Sequence, residues 1–297
     1  MTRMNKRVLI TGIDGFTGRY LADELRSAGY MVAGLSHKAS DGVFGCDLLD
    51  RAGLADIVAQ VMPDMVAHLA GIAFIKHGDV DGIYRTNVVG TRNLLEVLAV
   101  SGCKPRSVLL ASSANIYGNA TVATIAEDTV AAPTNDYAVS KLAMEYMAKL
   151  WADRLPISIA RPFNYTGVGQ SLDFLLPKIV DHFRRRAAVL ELGNLDVVRD
   201  FSDVRSVVRR YRLLLESGLS GEAYNLCSGV GHSLHEVLQM MRELTGHDPE
   251  IRVNPAFVRA NEVHRLIGSR AKLDAAIGVV ADIPLRDTLQ WMLESPV

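Results

Sequence analysis

The sequence predicts an α/β protein: a doubly wound parallel sheet with a smaller, interleaved C-terminal α/β domain. Three observations carry this. Short apolar runs alternate with helix-period segments through the first half of the chain, and parallel strands need helical crossovers between them. One such run, Val8-Leu9-Ile10, leads into a glycine-rich turn, Thr11-Gly12-Ile13-Asp14-Gly15-Phe16-Thr17-Gly18, that opens onto a helical pattern. Beyond Arg161 the alternation becomes irregular, as expected where a second unit packs on the first.

The elements follow in order. After the glycine turn, residues 19–25 repeat apolar side chains at helical spacing, and Tyr30-Met31-Val32-Ala33-Gly34-Leu35 reads as a second strand. A connection through Cys46-Asp47-Leu48 reaches a helix at residues 51–61. Met65-Val66-Ala67-His68-Leu69 is a buried strand ending in Ala70-Gly71. Residues 80–100 form a long amphipathic helix with Ile83, Val88, Leu94, Leu95 and Leu98 on or near its inner face. Strands follow at residues 107–111 and 157–160, with a helix bearing Tyr137 and Lys141 between them. Later come a helix at 175–186, strand pieces at 189–192 and 196–198, and a helix at 204–217. A strand at 223–226 and helices at 234–244 and 285–293 complete the chain. On this reading residues 1–163 bind a dinucleotide, 200–229 return to that domain, and 164–199 with 230–297 form the second domain.

Composition narrows the functions. The 297 residues are 49% apolar and 22% charged, enough to bury a large core. Thirty-two basic and 33 acidic residues leave a net charge of −1, so no global field draws nucleic acid or an anionic membrane. Arg184-Arg185-Arg186 reads as the exposed end of one helix, and His182 as solvent-facing. Cys46, Cys103 and Cys227 have neither metal-ligand nor paired spacing, which points to no metal site, no disulfides and a cytoplasmic setting. The apolar stretch at 65–75 contains His68 and is too short to span a bilayer.

Glycines three apart at a strand-to-helix turn let the backbone approach a ligand closely, and the helix N-terminus offers free N–H groups to a pyrophosphate. That assigns Gly12, Gly15, Phe16, Thr17 and Gly18 to a dinucleotide of the Rossmann type. Tyr137 and Lys141 share a helix face four residues apart, where an ammonium is expected to lower a phenol's pKa. Ser112-Ser113 end a strand, placing a hydroxyl where it can donate to a carbonyl or forming alkoxide.

Together these segments resemble the extended short-chain dehydrogenase/reductases, and within them the nucleotide-sugar epimerase, dehydratase and reductase group. The motifs carrying the resemblance are Thr11-Gly12-x2-Gly15-x2-Gly18, His68-Leu69-Ala70-Gly71, Asn87-Val88-x-Gly90-Thr91-x-Asn93-Leu94, Ser112-Ser113-x3-Tyr117-Gly118 and Tyr137-x3-Lys141. Ala160-Arg161-Pro162-Phe163-Asn164, Arg199-Asp200-Phe201-x-Asp203-Val204 and Tyr224-Asn225-Leu226-Cys227-Ser228-Gly229 resemble the reductases of GDP-4-keto-6-deoxymannose that form GDP-rhamnose. The resemblance implies Ser113, Tyr137 and Lys141 as catalytic residues. It implies Asp47, Leu48, Leu69, Ala70, Gly71 and Ser112 as cofactor neighbours beside the glycine loop. Asn164, Lys178, Arg199, Arg259 and Glu262 match positions that hold the nucleotide diphosphate and sugar. It also implies a homodimer, formed through the helix at 80–100 and the one bearing Tyr137.

Departures choose among the group's reactions. Dehydratases carry an acidic pair just after the catalytic serine or threonine; here those positions are Ala114 and Asn115. The segment resembling the epimerising histidine of GDP-fucose synthases reads Asp173-Phe174-Leu175-Leu176-Pro177. The second strand ends in Leu35-Ser36-His37-Lys38, without the carboxylate that usually takes the adenosine 2′-hydroxyl of NAD. Ser36, His37 and Lys38 therefore favour NADP(H), with NAD(H) still open. The expectation is a 4-reductase of a GDP-linked 4-keto-6-deoxyhexose. The alternatives are a 4-epimerase, a reductase of a UDP- or dTDP-linked 4-ketosugar, and a non-catalytic dinucleotide-binding regulator.

Overall fold

The computed structural model describes residues 6–73, 79–258 and 263–295. Its strands are β1 (Arg7–Thr11), β2 (Met31–Ser36), β3 (Val43–Gly45), β4 (Met65–His68), β5 (Ser107–Ala111) and β6 (Ile157–Pro162). After these come β7 (Asn164–Thr166), β8 (Val189–Leu192), β9 (Val198–Asp203), β10 (Ala223–Leu226), β11 (Gly231–Ser233), β12 (Glu250–Val253) and β13 (Arg265–Leu266). The helices are α1 (Phe16–Ser27), α2 (Arg51–Val61), α3 (Val80–Tyr84), α4 (Thr91–Val100) and α5 (Asp136–Lys149). They continue with α6 (Leu175–Arg184), α7 (Val204–Ser217), α8 (Leu234–Thr245), α9 (Ala271–Ile277) and α10 (Leu285–Glu294).

Seven strands form one parallel sheet in the order β10-β6-β5-β4-β1-β2-β3. Its strands read as continuous apolar runs because both faces are covered. Val8 and Ile10 point into one core with Leu21, Leu25, Val207 and Tyr211, while Leu9 points into the other with Leu54, Val58, Leu94 and Leu98. Val108 and Leu110 alternate with Leu109 in the same way. The strand order reverses between β1 and β4, and ligands of such sheets bind beyond the carboxyl ends of the strands at that point. A third core joins α6, α8 and α10 to Leu190 and Leu192 of β8. A small sheet built on β9, paired with β7, β11 and β13, lies between the ends of β6 and the last helices in sequence.

Most of the expected elements coincide with the observed ones, and the differences have physical causes. The strand expected at 196–198 is β9, which runs instead to Asp203. Its polar residues conceal it, among them buried Asp200, which accepts from the Ser228 and Gly229 N–H groups at 2.8 and 2.9 Å. The helix expected at 80–100 is interrupted by a π-helical turn, Arg85–Gly90, between α3 and α4. The extra residue turns Asn87 and Gly90 inward and leaves Val88 half-buried. Arg184 is half-buried and donates to the Met292 and Leu293 carbonyls, so the basic run is not wholly a solvated face. His182 is half-buried as well, with Nδ1 2.8 Å from the Lys178 carbonyl. The three cysteines are free and buried. Among the described residues no helix is long and apolar enough to cross a membrane, and no cluster of metal-ligating side chains occurs.

Candidate active site

The glycine loop and the loop after β4 meet where the strand order reverses. Gly12 has φ +73°, and a Cβ there would lie 2.8 Å from the Ala70 nitrogen. A Cβ at Gly18 would come within 2.1 Å of the Gly12 carbonyl oxygen, so the first turn of α1 packs directly on the loop. At Gly71 an added Cβ would be 3.0 Å from Asn87 Oδ1 and 3.2 Å from Lys141 Nζ. These positions keep backbone surface open along the crevice, which is what a pyrophosphate and nicotinamide ribose need.

A buried hydrogen-bond chain pins the strand ends beneath. Thr91 Oγ1 donates to the Asn87 carbonyl at 2.7 Å, so its one proton is committed. The His68 Nε2 contact to Thr91 Oγ1 at 2.8 Å must therefore be a donation by the ring. Nδ1 then accepts from Thr11 Oγ1 at 2.7 Å, and Thr11 Oγ1 accepts from the Ala70 N–H at 3.2 Å. Burial, and secondly the Lys141 charge, lower the His68 pKa to about 3, so the imidazole is neutral as this chain requires. Asn87 ties the same region to α5: it bonds both backbone groups of Ile72 and reaches Ser140 Oγ at 3.0 Å.

Asn135 caps α5 by accepting from the Ala138 N–H, which sets Tyr137 and Lys141 on the face turned to β5. Lys141 is buried and its Nζ donates to the Ala111 carbonyl at 2.8 Å. Burial lowers its pKa to about 8, against the opposing charge of Glu145. Ser113, at the end of β5, hydrogen-bonds Tyr137. The expected depression of the Tyr137 pKa does not hold for the protein's own side chains. Burial pushes the phenol up to about 12, partly offset by Ser113, and Lys141 is turned to Ala111. Tyr137 is therefore a neutral, protonated phenol across the physiological range.

Behind Ser113 lies a network in which only Ser112 belonged to the candidate set. Ser112 Oγ donates to Glu145 Oε1 at 2.5 Å, so that hydroxyl is committed to the interior. Glu145 also receives both arms of Arg161, at 3.0 and 2.6 Å. Arg161 reaches Tyr117 Oη at 2.8 Å, and Tyr117 donates to Asn225 of β10. The available signal was spacing: Glu145 follows Lys141 by four residues and so shares its helix face.

The second half of the chain supplies the other wall. Asn164 pairs with Phe201 on neighbouring strands, and Arg199 lies two residues before Phe201, so Asn164 and Arg199 share one face of the small sheet. Arg199 is buried and donates to the Val198 carbonyl at 3.1 Å. Tyr165 joins the walls, with its hydroxyl 2.7 Å from Thr17 Oγ1 and its ring stacked on Phe16. Lys178 is occupied, donating to the Glu191 carbonyl at 2.8 Å with its ammonium over the Phe257 ring. Arg259 and Glu262 lie outside the described residues. In the connection after β3, buried Leu48 accepts from Asn93 Nδ2 at 3.0 Å, and exposed Asp47 holds the Leu49 N–H. His37 and Lys38 are exposed, whereas Ser36 is buried and donates to Asp14 Oδ2 at 2.6 Å. A carboxylate therefore does stand at the end of β2, contributed by the glycine loop.

A parallel sheet with its reversal at a glycine loop, and a Ser–Tyr–Lys group at the adjoining strand end, define a dinucleotide-dependent enzyme of the extended short-chain dehydrogenase/reductase class. The chain belongs to the NAD dependent epimerase/dehydratase family, whose pattern matches residues 8–227. It is 32% identical over 278 residues to a GDP-6-deoxy-D-talose 4-dehydrogenase from Aggregatibacter actinomycetemcomitans, covering 92% of this chain and 91% of that one. A GDP-6-deoxy-D-mannose reductase from Pseudomonas aeruginosa is 33% identical over 303 residues, covering 98% and 97%. Among solved structures, RMD from Pseudomonas aeruginosa complexed with NADPH matches with a TM-score of 0.86 at 32% identity, over 97% of this chain and 98% of that one.

Proposed function

We propose that the protein is an NAD(P)H-dependent 4-reductase of a GDP-linked 4-keto-6-deoxyhexose, forming GDP-D-rhamnose. The observation that carries this is the make-up of the site at the end of β5: Ser113 hydrogen-bonds Tyr137, and the positions after that serine are Ala114 and Asn115. Tyr165 and Tyr211 act on Tyr137 as neutral phenols, and Glu145 is locked by Arg161 and Ser112. Such a site can give one proton to an oxygen, and it lacks the carboxylate pair that removal of water would need. The two relatives support the choice of sugar, because both names concern a GDP-linked 6-deoxyhexose and the first also names position 4.

In the proposed mechanism a bound reduced nicotinamide supplies the hydride that C4 receives. Tyr137 donates its proton to the forming alkoxide while Ser113 hydrogen-bonds the same oxygen. Lys141, whose lowered pKa near 8 still leaves it mostly charged at neutral pH, would hold the nicotinamide ribose beside Tyr137. Residues 164–199 and 230–297 form the nucleotide-sugar side, where Asn164, Arg199, Arg259 and Glu262 hold the diphosphate and sugar. Arginine suits this because its planar fork addresses paired phosphate oxygens.

A second reading is favoured by the talose relative: the same ketone reduced from the opposite face, giving GDP-6-deoxy-D-talose. The test is to supply enzymatically generated GDP-4-keto-6-deoxymannose and follow reduced-nicotinamide absorbance, then assign C4 of the product by NMR. Substrate-dependent loss of absorbance with the manno configuration supports GDP-rhamnose. The talo configuration selects the second reading, and no loss of absorbance sinks both.

A further inference from the structure

The carboxylate found at the end of β2 bears on which dinucleotide the site takes, given the dinucleotide reading above. In folds of this kind the side chain at the end of the second strand meets the adenosine ribose, where a carboxylate accepts from the 2′-hydroxyl and a cation accommodates a 2′-phosphate. Here that position is Ser36, and the segment from Leu35 to Lys38 holds no acid.

The glycine loop supplies one. The Gly12 and Ile13 N–H groups both donate to the Leu35 carbonyl, at 2.7 and 3.4 Å. The Gly15 N–H closes a tight turn onto the Gly12 carbonyl at 3.1 Å. Gly34 lets the loop come this near, since a Cβ there would lie 2.6 Å from the Ile13 side chain. These contacts fix Asp14, an exposed residue, beside the buried Ser36. The Ser36 hydroxyl has one proton, and it is given to Asp14 Oδ2 at 2.6 Å. Ser36 then has no proton left to offer a phosphate, and the charge that opposes one is that of the Asp14 carboxylate.

We propose that Asp14 is a specificity-determining residue for the cofactor. Held by Ser36, its carboxylate accepts from the 2′-hydroxyl of NAD(H) and opposes the 2′-phosphate of NADP(H). His37 and Lys38, exposed on the same connection, offset this only in part. The preference for NADP(H) expected from Ser36, His37 and Lys38 is thereby reversed.

The test measures binding in the absence of sugar substrate. Dissociation constants for NADH and NADPH are obtained from nicotinamide fluorescence at one ionic strength, for the wild type, Asp14→Asn and Asp14→Ser. The wild type should hold NADH about tenfold more tightly, and either variant should narrow that ratio about fivefold or more, since a like charge about 4 Å away is worth about that factor even in bulk water. Competition by AMP against its 2′-phosphorylated counterpart should show the same change. Tighter NADPH binding by the wild type, or a ratio that neither variant moves, overturns the proposal. If neither cofactor binds, the dinucleotide reading fails with it, whereas loss of sugar turnover alone leaves this result untouched.

Discussion

Acid should loosen this protein through His68 in a way one substitution can isolate. In the folded chain the ring is buried between Thr11 and Thr91, and its pKa lies at about 3. In the unfolded chain it titrates near 6.5. The folded pKa is the lower one, so between these values the unfolded state binds a proton that the folded state refuses. Stability from this group is fully present above pH 6.5 and is lost as pH falls toward 3. From pH 6.5 to pH 4 the loss is about 3 kcal/mol, at about 1.4 kcal/mol per pH unit. His68→Gln keeps an amide donor and acceptor at the position but cannot titrate. Urea unfolding of both proteins at pH 7 and pH 4 separates the effect from the carboxylates, which are common to the two. The wild type should lose about 3 kcal/mol more than the variant over that interval. Parallel losses would refute the neutral, Nε2-protonated ring and the hydrogen-bond chain built on it.

Three further outcomes follow from the same geometry. Tyr137→Phe should lower turnover by about 10²–10⁴-fold while cofactor affinity, read by nicotinamide fluorescence, stays near the wild-type value; a smaller loss would remove the phenol as proton donor. Glu145→Ala leaves the half-buried Arg161 guanidinium without its carboxylate and should cost about 3 kcal/mol in chemical denaturation, most of it recovered in Glu145→Leu/Arg161→Met. A cost below about 1 kcal/mol would mean the pair is not closed. Gly12→Ala must adopt a positive φ and crowd the Ala70 backbone, so it should lose about 1–3 kcal/mol of stability and bind dinucleotide more weakly. Wild-type affinity in that variant would show that the two loops are not in contact.

What could be read from the chain, and what could not, divides by the range of the interactions. The strands β1, β4 and β5 are buried on both faces, so their apolar runs announce them without any tertiary information. The glycine loop is only partly local: Gly15 and Gly18 answer close approaches within the loop itself, whereas Gly12 answers the Ala70 backbone beyond β4. The π-turn at Asn87 was hidden because one inserted residue leaves the apolar periodicity nearly intact. The Asp14–Ser36 contact spans 22 residues and the Glu145–Arg161 pair 16, and both depend on chain paths that periodicity does not encode. The Tyr137 expectation failed for a related reason. Helical spacing places the ammonium on the same face, but the Ala111 carbonyl, 30 residues away, takes Lys141 Nζ.

Hydride delivery to C4 of the sugar, without loss of any other sugar proton, is the centre of the account, and isotope placement tests it directly. A nicotinamide cofactor deuterated at the transferring position is supplied with GDP-4-keto-6-deoxymannose in ordinary water, and the product is examined by NMR. One deuterium is expected at C4 and none elsewhere. In the converse experiment, with unlabelled cofactor in deuterated water, none is expected at C3 or C5. Deuterium at C3 or C5 would reveal an epimerising step, and an unlabelled C4 in the first experiment would contradict the assigned reaction outright.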